Sequence, residues 1–442
     1  MTLDFGFASF ADKRDLLDRS AAAWNADKTG FWERMGVPIV IGERSGYELV
    51  DVDGHRLIDV HLNGGTYNLG HRNPELVEVL KDALDHFDMG NHHFASPART
   101  ALAERLVELT GPQMRRVAFG TSGSEAIDLA IKVARRATGR RKIVSIVKAY
   151  HGHSGLAVAT GDARYSVPFL SDRPDEFVQV PFNDLPAMEE ALAGADVAGV
   201  LMETIPATYG FPLPAPGYLA AVAELAHESG ALYIADEVQT GLGRTGVLWG
   251  ISKTDVVPDV LVTAKGLGGG LYPISAVVMN EPTSRWLDED GFSHMSTAGG
   301  AELGSIAALG VLEITTRPQV QEQVHALSIQ FDVGLSQLRA RHEGWFTGIR
   351  QDGLVIGLEL ADPQGAMHLT RALYAEGVWA IFSSLDPSVL QFKPGLLLEP
   401  EQVDEILHRL DRALAVAQAA AASGTATVPS IHPHGEPAEV AA

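Results

Sequence analysis

Lys265 is the residue of this 442-residue chain whose surroundings most clearly predict chemistry. It follows the apolar, β-branched run 259–264, which is typical of a buried strand, and precedes the glycine-rich turn 266–270. Burying an ammonium group is costly unless the group is paired or loses its proton. A lysine forced into its neutral form attacks carbonyl carbons and forms Schiff bases. The alternative is a lysine whose side chain simply extends from the strand end into solvent.

A carboxylate upstream in the sequence favours the interpretation of Lys265 as a Schiff-base lysine over that of a lysine extending into solvent. Asp236 ends a second apolar run, 231–235, one crossover before Lys265. Successive parallel strands present their carboxyl ends at one edge of a sheet, where open α/β folds bind ligands. A lysine that forms an imine and an aspartate that keeps a pyridine nitrogen protonated are the two groups that pyridoxal 5'-phosphate (PLP) chemistry requires. The pair therefore predicts PLP as the cofactor, with Lys265 and Asp236 as catalytic residues.

Strand-like and helical patterns alternate along the middle of the chain. Apolar runs at 116–119, 143–147, 199–202, 231–235, 260–264 and 274–279 are separated by helical segments. This alternation predicts a mainly parallel sheet covered by helices on both faces. After about residue 315 a long helix and short strands follow, which indicates a second domain that pairs with a hairpin at 46–55.

Composition excludes several classes of function. A net charge of −22 and a pI near 5.1 argue against nucleic acid and anionic membrane as partners. The absence of cysteine excludes disulfides, thiolate metal sites and cysteine nucleophiles. The first residues lack the basic and apolar regions of a signal peptide, and no apolar run is long enough to span a bilayer. The cytoplasm is the expected compartment.

The segments 236–246 and 258–270 together resemble the signature of class III aminotransferases, which are PLP enzymes of fold type I. The resemblance extends from about residue 47 to about residue 410 and is densest between residues 119 and 300. It implies an α/β fold with a large PLP-binding domain around a mainly parallel seven-stranded sheet, and a smaller α+β domain built from both chain ends. The expected division is 1–55 for the N-terminal part of the small domain, 56–315 for the large domain, 316–418 for the C-terminal small domain, and 419–442 for a disordered tail.

The segment 120–126 predicts the phosphate site. It follows a strand and opens a helix, and the first amides of a helix are unpaired and favour an anion. A serine that merely caps the helix is the alternative. The resemblance assigns the cofactor phosphate to Ser122, Gly123 and Ser124.

The resemblance carries further cofactor contacts to this chain. Tyr150 and Val238 would cover the two faces of the cofactor ring, and Gln239 would reach its phenolic oxygen. Glu203, which ends another strand, is expected beside them. Thr297 would cross to the phosphate of the neighbouring subunit, so the resemblance implies a homodimer with shared active sites.

Three other functions are not favoured by the sequence: dinucleotide binding, metal binding and non-catalytic regulation. The run 241–246 matches the glycine pattern of dinucleotide-binding enzymes, but it begins five residues after Asp236 instead of forming the strand-to-helix turn. The pairs His151/His153 and His432/His434 could suggest a metal, but a structural role and a solvated tail explain them better, so no metal site is predicted. A non-catalytic regulator is disfavoured because the N-terminal 50 residues are too short and acidic for a DNA-binding module.

The substrate pocket departs from the ornithine-type relatives. Gln391 aligns with the arginine that binds their substrate carboxylate, and Thr208 aligns with the glutamate that masks that arginine. Gly64 falls where several relatives place a bulky aromatic, which predicts a roomier pocket beside Tyr67. His93 is expected on a nearby loop of either subunit. Lys393 and Arg164 are left as candidates for a carboxylate contact.

These observations predict a transaminase. An amine, ω-amino acid, semialdehyde or natural-product intermediate would give its amino group to a keto acid or aldehyde, through a Schiff base of Lys265. An aminomutase, racemase, epimerase or phospho-lyase of the same family remains the alternative, because Lys265 and Asp236 would serve each of these reactions equally.

Overall fold

The computed structural model describes residues 2–423 and 428–429 of the chain. The strands are, in chain order, β1 (Leu3–Asp4), β2 (Ser9–Phe10), β3 (Ile41–Ser45), β4 (Glu48–Asp51), β5 (Arg56–Asp59), β6 (Met114–Gly120), β7 (Lys142–Ile146), β8 (Phe177–Val180), β9 (Val197–Glu203), β10 (Leu232–Asp236), β11 (Val260–Thr263), β12 (Ser275–Asn280), β13 (Phe346–Asp352), β14 (Val355–Leu360), β15 (Val378–Trp379), β16 (Ile381–Phe382) and β17 (Val389–Phe392).

The α-helices are α1 (Lys13–Ala23), α2 (Ala26–Arg34), α3 (Leu62–Gly65), α4 (Pro74–Leu84), α5 (Pro97–Thr110), α6 (Gly123–Thr138), α7 (Ala163–Ser166), α8 (Leu185–Leu192), α9 (Tyr218–Glu228), α10 (Glu281–Ser284), α11 (Trp286–Glu289), α12 (Glu302–Thr315), α13 (Pro318–Arg341), α14 (Gly365–Ala375) and α15 (Pro400–Ser423). Short 3₁₀ turns lie at Ala157–Thr160, Val167–Phe169, Gly250–Lys253, Lys265–Gly268 and Gly291–Ser293.

A seven-stranded sheet in the order β6-β12-β11-β10-β9-β7-β8 forms the centre of the molecule. Only β12 runs antiparallel to its two neighbours; the other pairs in this sheet are parallel. All seven residues of β9 are buried, as expected for a strand covered by helices on both faces. The predicted α/β fold with a mainly parallel seven-stranded sheet is confirmed. The sequence analysis missed β8, a four-residue strand at the sheet edge.

The register of the sheet brings the predicted chemical groups together. Asp236 at the end of β10 pairs directly with Glu203 at the end of β9. Asp236 also pairs with Val262 on β11, and the chain reaches Lys265 three residues later. All three side chains therefore belong to the carboxyl edge of the parallel strands, where α/β folds bind ligands.

Helix α6 starts directly after β6 and supports the same edge. Its buried residues Ile127, Ala130, Ile131 and Ala134 recur at helical spacing and pack against the sheet. Gly139 ends the helix with φ of +68°, a conformation that glycine adopts without strain.

The two ends of the chain meet in two smaller sheets, ordered β15-β5-β4-β3 and β13-β14-β17-β16. The short strand β15 pairs in parallel with β5, so the expected N-terminal hairpin is joined to the C-terminal part of the chain. Buried side chains of α13, α14 and α15 share one apolar core with these sheets. We propose that this assembly is the smaller domain.

The C-terminal boundary differs from the expected one. A disordered tail was expected from residue 419, but α15 continues to Ser423. Alanine has the highest helix propensity, and the alanine-rich end of α15 extends a helix anchored by buried Leu414 and Ala417. His432 and His434 lie outside the described residues. Within the part of the chain that the structure describes, no helix is both long and apolar enough to cross a membrane.

Candidate active site

Lys265 occupies a strained position at the sheet edge. Its backbone has φ of +45°, which is sparsely populated for any residue other than glycine and is typical of functional sites. With its amide oxygen turned toward the lysine, Gln239 accepts a hydrogen bond from Nζ over 3.1 Å, and its nitrogen donates to the Gly64 carbonyl over 3.2 Å. Burial lowers the pKa of Lys265 to about 8, although the carboxylates of Asp236 and Glu203 oppose the shift. This amine can therefore be neutral near physiological pH.

Asp236 is buried and held from two sides. Its Oδ2 lies 2.7 Å from Nδ1 of His151, and its Oδ1 accepts a hydrogen bond from the Val238 amide over 3.0 Å. The other ring nitrogen of His151, Nε2, is buried without a hydrogen-bond partner among the described residues. Only a structural role was expected for His151 from the sequence. His151 lies beyond the end of β7 and Asp236 ends β10, so their contact depends on how these elements pack.

Glu203 lies next to Asp236 and is held by the backbone. Its two oxygens accept hydrogen bonds from the amides of Tyr150 and Ala207, each over 3.0 Å. Burial and the nearby charge of Asp236 raise the pKa of Glu203 to about 7, while His151 counteracts the rise. Glu203 therefore holds the backbone at Tyr150, in the segment that follows β7.

The N-terminus of α6 provides free amides. Ser122 caps the helix by accepting from the Glu125 amide over 3.2 Å, and the Ser124 hydroxyl lies 2.6 Å from that of Ser154. The first backbone bond of the helix runs from the Ala126 amide to the Ser122 carbonyl. The amides of Gly123 and Ser124 precede that bond and remain available to an anion.

These groups surround one cavity of about 240 Å³. Its lining residues are Ser122, Gly123, Ser124, Tyr150, His151, Gly152, His153, Glu203, Asp236, Val238, Gln239 and Lys265. A second cavity of about 360 Å³ shares Ser122, Gly123 and Lys265 and extends to Thr66 and Tyr272. All the predicted cofactor residues except Thr297 are therefore close together.

The groups present fit PLP. Free helix amides suit its phosphate, the buried Asp236 carboxylate suits a protonated ring nitrogen, and the amine of Lys265 suits its aldehyde. The backbone at Gly152 also approaches α6 so closely that a Cβ there would collide with Ser124. A glycine is needed at this position because its φ of +110° and the close approach both exclude a side chain.

The predicted substrate residues are more scattered. Gly64 adjoins Lys265, because a Cβ there would lie 3.4 Å from Lys265 Cε. The ring of Tyr67 packs against His71 with centroids 4.0 Å apart and is not among the described residues that line the 240 Å³ cavity. Thr208 has a buried hydroxyl without a partner in the described chain. Gln391 is buried and bound to another side chain, Lys393.

His93 and Thr297 lie elsewhere. His93 borders a separate cavity of about 350 Å³ together with Phe292 and Ser296. Thr297 is exposed on the adjacent loop, and neither residue lines the Lys265 cavity as the described residues form it. Within one chain, therefore, neither residue contributes to the predicted cofactor cavity.

A cluster of three packed rings that was not predicted from the sequence lies beside the cavity. The ring of His153 lies 4.4 Å from that of Tyr165 and 5.0 Å from that of Tyr150. Burial lowers the pKa of His153, which favours its neutral form. Tyr165 is far from Tyr150 in sequence, so no local motif indicated this arrangement.

Comparison with known proteins assigns the family. The model of the aminotransferase class-III family matches residues 32–414. An Archaeoglobus fulgidus protein named as an uncharacterized aminotransferase is 44% identical over 412 residues, which cover 93% of this chain and 96% of that protein. The chain belongs to the class III aminotransferases. The predicted transaminase activity is confirmed at the level of the family.

Solved structures of other aminotransferases share the fold of this class III aminotransferase. Ornithine aminotransferase from Toxoplasma gondii superimposes with a TM-score of 0.85 at 24% identity, covering 93% of this chain and 96% of the other. N-acetylornithine aminotransferase from Stenotrophomonas maltophilia superimposes with a TM-score of 0.75 at 29% identity, covering 86% of this chain and 97% of the other. A transaminase from the marine bacterium Virgibacillus superimposes with a TM-score of 0.84 at 25% identity, covering 91% of this chain and 99% of the other. The fold is that of fold-type I aminotransferases.

Proposed function

We propose that this class III aminotransferase uses PLP to move an amino group from an amine or ω-amino acid, or from a semialdehyde or natural-product intermediate, to a keto acid or aldehyde. The observation that carries the proposal is the convergence of Lys265 Nζ, the Asp236 carboxylate and the free amides of α6 on one cavity. Gln391, which stands where ornithine-type relatives are expected to have an arginine, supports the proposed substrate class.

Each residue has a defined part in the proposal. Bound PLP would supply a reactive carbonyl and a ring that withdraws electrons from the substrate carbon bearing the amino group. Ser122, Gly123 and Ser124 would hold the phosphate at the start of α6. Asp236, oriented by His151, would keep a proton on the ring nitrogen.

Lys265 has two tasks. Its amine would hold PLP through the cofactor's aldehyde group, and the same Nζ would accept and return the proton of the substrate carbon that bears the amino group. A general base works best when its pKa lies near the working pH, and burial lowers that of Lys265 to about 8.

Gln391 and Thr208 support the choice of substrate. A dicarboxylate such as 2-oxoglutarate loses a bidentate arginine partner at Gln391, a contact worth on the order of 1.5–3 kcal/mol, or about 10- to 100-fold in affinity. Pyruvate or an aldehyde should therefore match or exceed 2-oxoglutarate as acceptor. Gly64 lies against Lys265 and has no side chain where several relatives are expected to have a bulky aromatic one, which supports a donor larger than a simple α-amino acid.

We also propose a homodimer in which Thr297 completes the phosphate site of the partner. The loop bearing Thr297 carries two strongly exposed apolar residues, Phe292 and Met295, at 73% and 59%, and Phe94 nearby in sequence to His93 is 69% exposed. A cluster of this kind on a soluble enzyme is typical of a surface that another protein covers.

A donor screen tests the substrate class. Enzyme loaded with PLP is mixed with single donors, and conversion to the aminated cofactor is followed by absorbance under single-turnover conditions, which requires no acceptor. We expect ω-amines and ω-amino acids to react faster than α-amino acids. Conversion by glutamate alone would contradict the proposal, and isomerisation of one substrate without conversion by any amine would favour the mutase or racemase alternative.

A further inference from the structure

Three aromatic rings are packed together at the side of the predicted cofactor cavity. His153 and Tyr150 both line the cavity of about 240 Å³. The His153 ring lies 4.4 Å from the Tyr165 ring at an interplanar angle of 35°, and 5.0 Å from the Tyr150 ring at 58°. The two tyrosine rings are 6.4 Å apart and nearly perpendicular, at 88°. The cluster therefore presents ring surface to the cavity through His153 and Tyr150.

His153 has no polar partner in the protein. No hydrogen bond or ion pair joins its ring to the described residues, and the residue is exposed. By contrast, His151 is buried and bound to Asp236. The packed rings still remove enough water from His153 to lower its pKa, which favours the neutral form. A ligand can therefore contact this ring without displacing a bond within the protein.

Tyr165 is anchored to the C-terminal part of the chain. Its hydroxyl oxygen lies 3.3 Å from that of Ser384, in the segment that follows β16. The next amide in that segment, that of Leu385, donates to the Thr208 carbonyl over 3.2 Å. Tyr165 therefore provides an anchored backing for the His153 ring.

The arginine beside this cluster does not make it a carboxylate site. Arg164 directly precedes Tyr165, but its Nε donates to Asp162 over 2.8 Å, and it is not among the described residues that line the cavity. Among those lining residues the only lysine or arginine is Lys265, which the proposed chemistry already uses. A neutral imidazole beside phenol rings offers flat, weakly polar surface. Such a surface favours planar aromatic groups over anions.

We propose that His153, backed by Tyr165, is a specificity-determining residue that stacks on a planar aromatic substituent of the amino donor. This inference rests on the proposed function, in which the donor enters the cavity that contains Lys265. Tyr150 faces the cofactor in that proposal, so His153 is the ring of the cluster that is left to contact the donor. Ring pairs in stacked or edge-to-face contact attract each other beyond the area they bury, by the equivalent of about 2- to 10-fold in affinity.

The test compares two donors with the same number of carbons, 2-phenylethylamine and 2-cyclohexylethylamine. The quantity measured is the phenyl-to-cyclohexyl ratio of single-turnover efficiencies in PLP-loaded enzyme. In His153→Ala this ratio should fall by about 2- to 10-fold, as expected for loss of one ring contact. His153→Phe retains a flat ring and should keep the ratio of the unmodified enzyme. An unchanged ratio in His153→Ala, or an equal fall in both variants, would overturn the proposal.

His325→Ala is the matched control. His325 is also exposed and without a hydrogen bond among the described residues, but it lies on α13 and lines neither cavity that contains Lys265. The donor ratio of this variant should equal that of the unmodified enzyme. A fall as large as that in His153→Ala would also contradict the inference.

Binding without turnover separates this inference from the proposed function. The alcohols 2-phenylethanol and 2-cyclohexylethanol have no amino group to transfer, and calorimetry gives their dissociation constants with PLP-loaded enzyme. His153→Ala should weaken 2-phenylethanol by about 2- to 10-fold more than 2-cyclohexylethanol. If no amine converts the cofactor but this difference is found, the proposed function fails while the aromatic contact stands. If both amines react and neither ratio depends on residue 153, the inference fails while the proposed function stands.

Discussion

At the scale of single residues, burial sets the chemistry of the site. Lys265, Glu203 and Asp236 lie at one sheet edge, and the low polarity around them shifts the pKa of Lys265 down and that of Glu203 up. Both shifts bring groups that are normally charged into the range where a proton can be exchanged near neutral pH.

The pKa of Lys265 predicts how the apoenzyme takes up cofactor. Only the neutral amine attacks the aldehyde, so the rate of covalent attachment should rise with pH and level off above about 8, not near the ordinary 10.5. Because the Glu203 carboxylate raises the pKa of Lys265, Glu203→Gln should move the midpoint to lower pH. The rate at which the absorbance of bound PLP appears, measured over a series of pH values, gives the profiles of both proteins. A midpoint above 10 in the unmodified enzyme would refute the lowered pKa of Lys265.

The residue types of the site could be predicted from the sequence, but several of their contacts could not. Lys265 and Asp236 each end an apolar run, so their positions follow from strand patterns alone. The bond between His151 and Asp236 depends on which strands are neighbours in space. The burial of Lys393 depends on packing against the distant Val60 and Phe211.

At the scale of elements, the loops after β6 and β7 form the side of the site where we propose that the phosphate binds. The turn after β7 passes so close to the start of α6 that Ser154 and Ser124 share a hydrogen bond and Gly152 has no space for a side chain. The position of the free amides of α6 therefore depends on this contact as well as on the helix itself.

Gly152→Ala should weaken cofactor binding. The added Cβ meets the backbone and side chain of Ser124, and φ of +110° disfavours any L side chain, so the turn must move away from α6. We expect the PLP dissociation constant to rise by about 10-fold or more, as for loss of one charge-assisted hydrogen bond. Fluorescence titration of apoenzyme measures it. Gly344→Ala, where φ is +85° but a Cβ meets nothing within 4 Å, should bind PLP as before.

At the scale of the whole molecule, the two chain ends together build the two smaller sheets. A second copy of the chain is proposed to complete the active site. The pairing of β15 with β5 could be anticipated from the sequence as the association of an N-terminal hairpin with C-terminal strands. The proposed partner surface could not be anticipated from the sequence, because the exposure of Phe292 and Met295 is a property of the folded chain.

Mixed dimers test the shared site. If Thr297 reaches the partner's phosphate site, a hybrid of Lys265→Ala and Thr297→Ala subunits has one site with both lesions and one with neither. The purified hybrid should recover about half of the activity of the unmodified dimer. The control hybrid of Lys265→Ala and Asp236→Ala subunits has a lesion in each site and should remain inactive. Equal activity in the two hybrids would exclude shared sites.

Lys265 is proposed to be the residue that binds PLP covalently. To test this, PLP-loaded enzyme is reduced with borohydride, digested, and analysed by mass spectrometry, with Lys265→Ala as control. We expect a cofactor-sized mass on the peptide containing Lys265, loss of the yellow colour on reduction, and no label in the variant. A label on another lysine, such as Lys393, or protein that cannot be loaded with PLP at all, would contradict it.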